Sequence, residues 1–334
     1  MSVKILGIET SCDETAAAVV DCCGNVLSNI IYSQIDIHKQ YGGVVPEIAA
    51  RNHVVKVDNV VEQALQTASV TLSDIDAIAV TYGPGLVGAL LAGLNFAKAL
   101  SYSASIPLIA VNHLEGHIAS AYLENPSFTP PFVALIASGG HSHLVHVRGY
   151  GDYAVLGQTT DDAAGEAFDK VARTLNLPYP GGIEIDRLAT AGDPASIPFT
   201  RPKAEGELNF SFSGLKSAVL NYLNAAKMKG EAINPADVAA SFQQAVVDIL
   251  TANALKACKA TGATSLAVVG GVACNSQLKA SLVSQCVENS IKLHIPKPIF
   301  CTDNAAMIAM AAHPNYTKKD FATLDLNAVP SLKL

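Results

Sequence analysis

An apolar strand, a polar turn and a second apolar strand occur twice in this chain, at its start and again about halfway along. Val3 to Ile8 leads through Glu9-Thr10-Ser11-Cys12-Asp13-Glu14-Thr15 into Ala16 to Val20. Phe132 to Ala137 leads through Ser138-Gly139-Gly140-His141-Ser142 into His143 to Val147. Short apolar runs bounded by turn residues predict strands, and their repetition predicts two structurally related lobes; a chance likeness of two hairpins is the alternative. With 334 residues, half of them hydrophobic, there is material for two cores. The boundary is expected in Asn125–Pro131, where NPSFTPP has a connector's composition. That gives lobes at residues 1–128 and 129–334, with a C-terminal helix able to pack back on the first.

Composition excludes several classes. The longest stretch free of charged residues and histidine, Ala77 to Ala97, is long enough for a membrane span, but Gly83-Pro84-Gly85 splits it into a strand and a helix. Acidic residues at Asp13 and Glu14 arrive before a signal-peptide core can form. Seven cysteines, an odd number without metal-finger spacing, predict free thiols in a reducing cytoplasm. A net charge of −7 argues against broad nucleic-acid binding while leaving room for a local basic patch or a basic partner.

The segment Val111–Leu123, VNHLEGHIASAYL, carries His113 and His117 four residues apart, with Val111, Leu114, Ile118 and Tyr122 as an apolar helical stripe. At about 100° per residue both imidazoles fall on one face and can meet one first-row divalent cation. Two half-exposed surface histidines are the plainer reading, and a third ligand has to come from elsewhere. Thr302-Asp303-Asn304 precedes the apolar run Ala305–Ala312. Locally it reads as a helix cap, yet Asp303 is also a late carboxylate able to complete a site with the two histidines.

Gly83-Pro84-Gly85-Leu86-Val87-Gly88 matches G-x-G-x-x-G after a strand and before a helix, but Ser101–Asn112 lacks the acid a dinucleotide site needs. A glycine turn opening a helix that can face a phosphate is what remains. A helix is expected over Val54–Ala68. Thr159-Thr160-Asp161-Asp162 reads as a capped helix start, with Asp162, Glu166 and Asp169 on one face that is either solvated or functional. In Pro178-Tyr179-Pro180-Gly181-Gly182, Gly182 can admit a ligand close to the backbone, with Asp186 just beyond. Phe210–Lys216 crosses from extended chain into a helix, and the strand Leu266–Val269 feeds Gly270-Gly271 and Asn275.

Together these motifs resemble the TsaD (Gcp) family of tRNA N6-adenosine threonylcarbamoyltransferases. The resemblance rests on Gly7–Thr15, Asn112–His117, Ser138–His141, Phe168–Arg173, Phe210–Lys216, Gly270–Val272 with Asn275, and Asp303–Met307, in the family's order from Lys4 to about Ala312. It implies an α/β, actin-like ATPase (ASKHA) fold of two duplicated lobes with a nucleotide cleft between them. His113, His117 and Asp303 are then ligands of one divalent metal per chain, Fe(2+) rather than Zn(2+). Ile136, Ala137, Ser138, Gly139 and Gly140, with Asp169, Gly182, Asp186 and Asn275, then hold the adenylate substrate. Ile183 stands where many members have Pro after the two glycines, which loosens the placement of Asp186.

The implied reaction moves threonylcarbamoyl from threonylcarbamoyl-AMP to N6 of the adenosine beside the anticodon, in tRNAs reading codons that begin with A. Asp13 and Glu14 are candidates for proton transfer or support of the metal. Implied partners are tRNA, a related actin-like subunit and a small ATPase, in the cytoplasm and without a membrane. The alternatives are a metal-dependent protease and an actin-like ATPase or scaffold subunit. In HLEGH, however, Glu115 sits two residues from each histidine, about 200° around the helix, unlike the zincin order His-Glu-x-x-His.

Overall fold

β1 (Lys4–Glu9) and β2 (Glu14–Asp21) pair antiparallel, with Ile5 opposite Val20 and Glu9 opposite Ala16. The computed structural model, which describes residues 2–334, continues with β3 (Val26–Ser33), the short α1 (Ile35–His38) and the long α2 (Pro46–Thr67). β4 (Ala77–Gly83), α3 (Val87–Ala104), β5 (Leu108–Asn112) and α4 (His113–Ala119) follow. The five strands form one mixed sheet in the order β3-β2-β1-β4-β5.

Strand side chains alternate between two apolar layers, as the pleat requires. Leu6, Ile8, Ala17 and Val19 pack with Val57, Val61 and Leu94 of α2 and α3. Ile5, Ala16, Ala18 and Val20 pack on the other side, against residues from the far end of the chain. Helix α2 begins eight residues before the expected Val54. Pro46 is well suited to a first turn, and the inward positions run Ala49, His53, Val57, with a histidine interrupting the apolar period. The apolar stripe of α4 likewise starts at Leu114, because Val111 lies in β5. Asn112 ends that strand and caps the helix, its Oδ1 accepting from the Leu114 N–H at 2.8 Å.

The second unit repeats the plan. β6 (Phe132–Ala137), β7 (Ser142–Gly149) and β8 (Asp152–Gln158) are followed by α5 (Ala164–Thr174), α6 (Gly181–Ala189), α7 (Ser213–Lys229) and α8 (Pro235–Thr261). β9 (Ser265–Val269), α9 (Ser276–Glu288) and β10 (Lys292–His294) complete it. Its sheet order, β8-β7-β6-β9-β10, is that of the first sheet position for position. In both, the first strand pairs antiparallel with the second and parallel with the fourth. The duplicated hairpins are therefore part of two copies of one topology. Phe168 of α5 meets Phe242 of α8 edge-to-face, ring centroids 5.3 Å apart, and Phe210 and Phe212, also buried, stack on each other at 5.9 Å.

Thr159–Asp162 does not cap α5, which starts at Ala164 with no side-chain cap at Ala163. Thr159 instead bridges to Phe210, and the Asp161 carboxylate accepts from the Phe212 and Ser213 N–H groups and from the Ser211 and Ser213 hydroxyls. A short acid next to extended chain satisfies a loop's donors as readily as a helix's.

The chain then returns to the first unit with α10 (Pro298–Cys301), α11 (Ala305–Ala311) and α12 (His313–Lys318). The division is Met1–Pro130, Gly149–Asp152 and Pro296–Leu334 in one unit, and Pro131–Arg148 with Tyr153–Ile295 in the other. Helix α11 lies directly on β1. A Cβ on Gly7 would be 2.3 Å from the Ala305 carbonyl oxygen and 2.8 Å from the Ala309 nitrogen, so only glycine admits the helix this close. Met307 and Ile308 are wholly buried there, each contributing roughly 1.5–3 kcal/mol by removal from water.

Candidate metal centre and adenylate site

α11 and α4 are brought together by a second glycine: a Cβ on Gly116 would be 2.6 Å from Ile308 Cδ1. The contact sets Asp303, just before α11, against the imidazole face of α4. Asp303 Oδ1 lies 3.5 Å from His113 Nε2 and 3.3 Å from His117 Nε2. One ligand atom from each of the three lies within 4.8 Å of the others, and the rings stand at 80° with centroids 4.7 Å apart. The cap of α11 is Asn304, whose Oδ1 accepts from the Met307 N–H at 3.0 Å. The local reading of Thr302–Asn304 as a cap therefore holds for Asn304, and Asp303 is left to face the histidines.

Behind His113 sits Glu9, 1% exposed, at the end of β1. Its Oε2 is 3.1 Å from His113 Nδ1 and accepts from the Thr81 hydroxyl at 2.6 Å, while Oε1 accepts from the Ser11 N–H. Burial alone would raise Glu9, but the adjacent His113 outweighs it and holds the carboxyl below its ordinary range. A carboxylate at Nδ1 makes that nitrogen an N–H donor, so that a metal would meet the ring at Nε2, the nitrogen on the Asp303 side. For His113 itself burial pulls downward, yet Asp303 and Glu9 lift it to about 9.

Further carboxylates crowd the same space. The Glu14 carboxyl is pushed well above its usual range by burial, then by Asp13 and Asp303. The Cys12 thiol is raised well above its usual value by burial and the same acids. Among the described residues the two ring nitrogens of His117, which is fully buried, have no hydrogen-bond partner, although Nε2 stands 3.3 Å from the Asp303 carboxylate. Two imidazoles, a carboxylate, an excess of negative charge and an orphaned buried ring are what a first-row divalent cation satisfies, and the residues fit one. Glu115 lies off this face; burial raises its carboxyl, and the Asn112 N–H is its hydrogen-bonding partner.

The turn Gly83–Leu86 does not face a phosphate. The Gly85 N–H donates to the Pro330 carbonyl at 3.1 Å and the Leu86 N–H to the Ser11 carbonyl at 2.8 Å. A Cβ on Gly83 would lie 2.1 Å from the Val329 oxygen, so the glycine makes room for the C-terminal segment.

In the second unit, Ile136 and Ala137 are wholly buried in β6, leaving only their main chain to a ligand. The Ser138 N–H donates to the His141 carbonyl at 2.8 Å and closes the turn. Gly139 and Gly140 are exposed, with nothing within 4 Å of where a Cβ would be. Asp169 Oδ1 accepts from the Gly181 N–H at 2.7 Å and so anchors the start of α6, where Gly182 is open. Gly182 stands in the first turn of that helix, and Ile183 beside it is 66% exposed.

Asp186 is held by Asn275 Nδ2 at 3.1 Å, the Ser276 hydroxyl at 2.8 Å and the Ser276 N–H at 3.1 Å. Asn275 also caps α9 through the Leu278 N–H and donates to Gln243 Oε1 at 2.8 Å. Asn275 thus orients Asp186. Gln243, 2% exposed within α8, was not singled out from sequence, because a polar residue at a helical core position leaves no mark on apolar periodicity. Glu9, His53 and Thr81 escaped for the same reason.

The sequence profile described as TsaD, tRNA N6-adenosine threonylcarbamoyltransferase, matches residues 25–310. Curated proteins of that name are 57% identical in Clostridium kluyveri (strain ATCC 8527 / DSM 555 / NBRC 12016 / NCIMB 10680 / K1), over 99% of this chain and 98% of the relative, and 57% in Clostridium perfringens (strain SM101 / Type A), over the same shares. Among solved structures, T. kodakarensis HypF superimposes with a TM-score of 0.65 at 16% identity, covering 98% of this chain and 49% of that one. Full-length HypF in its phosphate- and nucleotide-bound form gives 0.63 at 14%, covering 94% and 46%. This chain spans about half of each HypF chain, and at such identity the likeness speaks for the fold alone, the α/β actin-like ATPase type. Two copies of one sheet topology, a His-His-Asp cluster backed by Glu9, and identity across the whole length lead to one assignment: the chain belongs to the TsaD family, the tRNA N6-adenosine threonylcarbamoyltransferases.

Proposed function

We propose that this enzyme transfers the threonylcarbamoyl group of threonylcarbamoyl-AMP to N6 of the adenosine adjacent to the anticodon, in tRNAs reading codons that begin with A. The observation that carries the reading is the His113, His117, Asp303 cluster in a chain of this family. The adenosine N6 attacks the carbamoyl carbon, the bond to the AMP oxygen breaks, and N6 gives up a proton. AMP is already a good leaving group, so the protein's task is positioning and stabilising developing oxygen charge.

The first unit acts on the acyl group. His113, His117 and Asp303 would hold one divalent ion, iron in preference to zinc, which when bound supplies Lewis-acid polarisation and a template. Glu9 keeps His113 in the Nδ1–H tautomer. Asp13 and Glu14 would take the N6 proton or support the ligand set. The second unit serves the adenylate: the turn Ser138–Gly140 for phosphate, through the amides of Gly139 and Gly140, Asp169 and Asp186 for ribose hydroxyls, Gly182 for close approach, Asn275 to fix Asp186.

With a net charge of −7 the chain gains little from neutralising phosphates, so we place tRNA capture partly with accessory proteins, a related actin-like subunit and a small ATPase. Among the described residues no helix is long and apolar enough to cross a membrane, and a cytoplasmic location agrees with seven free cysteines. The test is transfer of labelled threonine carbon from preformed threonylcarbamoyl-AMP to unmodified tRNA, partners supplied. Unlabelled tRNA alongside metal-dependent cleavage of a protein would overturn the proposal in favour of a protease.

A further inference from the structure

The loop Thr10–Thr15 carries Asp13 and Glu14 and is held from outside at successive main-chain carbonyls. The Ser11 oxygen accepts from the Leu86 N–H at the mouth of α3 (2.8 Å), and the Asp13 oxygen accepts from the Gln34 N–H before α1 (3.1 Å). Between them, the Cys12 oxygen is 2.9 Å from His53 Nε2, on α2. The same ring reaches the far end of the loop, its Nδ1 lying 2.8 Å from the Thr15 hydroxyl. A carbonyl can only accept, so Nε2 bears the proton and Nδ1 accepts from Thr15. His53 is fully buried, both its nitrogens are used, and burial keeps the ring below its ordinary 6.5 and hence neutral.

No other single side chain in this set spans the loop. Leu86 and Gln34 each supply one main-chain donor, whereas His53 clamps Cys12 and Thr15 together, on either side of the two acids. The carbonyls of Ser11, Cys12 and Asp13 thus turn to donors on three elements, and the Glu14 carboxyl, raised first by burial, lies near enough to Asp13 and Asp303 for both acids to raise it further. His53 is not one of the His113–His117–Asp303 cluster.

We infer that His53 is a positioning residue for the transfer reaction, acting through Cys12 and Thr15 to aim Asp13 and Glu14. The inference rests on the proposed function. A neutral ring of fixed tautomer does this better than a longer chain, since one side chain offers a donor and an acceptor from opposite edges. A misplacement of about 1 Å in such a loop costs on the order of 10²-fold in rate.

The experiment compares the full-length protein with His53→Ala and His53→Gln, in the transfer assay with partners and by hydrogen exchange of the peptide spanning the loop. The glutamine amide reproduces the donor to Cys12 and the acceptor for Thr15. His53→Ala is expected to lower kcat about 10²-fold, with donor KM within about twofold, wild-type metal content and faster exchange confined to the loop. His53→Gln is expected to recover most of both. Wild-type kcat in His53→Ala overturns the inference, and so does a loss that follows metal content or folded fraction. If the wild-type protein itself fails to label tRNA, the functional reading falls. The exchange arm then decides on its own whether His53 holds the loop: unchanged exchange in His53→Ala rejects it.

Discussion

The turn between β1 and β2 and the turn between β6 and β7 occupy the same place in two sheets of one topology, and their contents are opposite. The first is packed with committed polar groups: Glu9, Thr10, Ser11, Asp13 and Thr15 are all buried. The second opens into two exposed glycines. Carboxylates gathered out of water demand a cation. Bare main-chain amides offer themselves to an anion. A duplicated scaffold can therefore carry turns of opposite character on its two copies, since the turn after the first strand is free to vary while the strands remain buried.

The greatest loss should come from emptying the first site. His113→Ala combined with His117→Ala removes the metal and lowers kcat by at least ~10³-fold, read by metal analysis and the transfer assay. Full activity in a metal-free double variant would show that the buried turn is not the reacting one. Glu9→Gln keeps the shape but weakens the charge behind His113; metal affinity should fall about 10–100-fold, measured by chelator competition.

A matched pair of glycine substitutions tests the contrast directly. Gly7→Ala drives a Cβ into the α11 backbone and should cost about 1–3 kcal/mol in denaturant unfolding, with looser metal retention as Asp303 shifts. Gly140→Ala meets nothing and should leave stability within about 0.5 kcal/mol. Equal stability costs would erase the distinction between a packed turn and an open one. Asn275→Ala removes one of the three donors that hold Asp186 and should raise the donor KM about tenfold, more than it lowers kcat.

The smallest effect concerns acidity. His53 is held below its ordinary 6.5 by burial, against the pull of the Cys12 carbonyl, Glu9 and Asp13 and with the help of His38. A depressed folded-state value means the unfolded chain binds the proton first. The contribution is thus complete above 6.5 and is lost as pH falls through that value towards the folded one. His53→Gln should accordingly lose a few degrees less in Tm than the wild type between about pH 7 and 5.

Sequence alone determined the duplicated hairpins and the helical spacing of His113 and His117, because these depend on neighbours within a turn or a strand. It also fixed the chain's resemblance, through short motifs in order. Where local signals are ambiguous it went astray: Thr159–Asp162 has cap chemistry, but its acid serves a loop some fifty residues on. The glycines at Gly83 and Gly85 look like a phosphate turn, and only the arrival of Val329 and Pro330 shows what they make room for.

Tertiary structure decided which of two adjacent residues, Asp303 or Asn304, caps a helix and which meets the histidines. That choice follows from α11 seating on Gly7 and Gly116, contacts between residues nearly 300 and 200 positions apart. It likewise decided that His53 grips a loop forty positions earlier. Such pairings are set by the closing of the sheet between its helical layers, a packing of whole elements that no window of sequence contains.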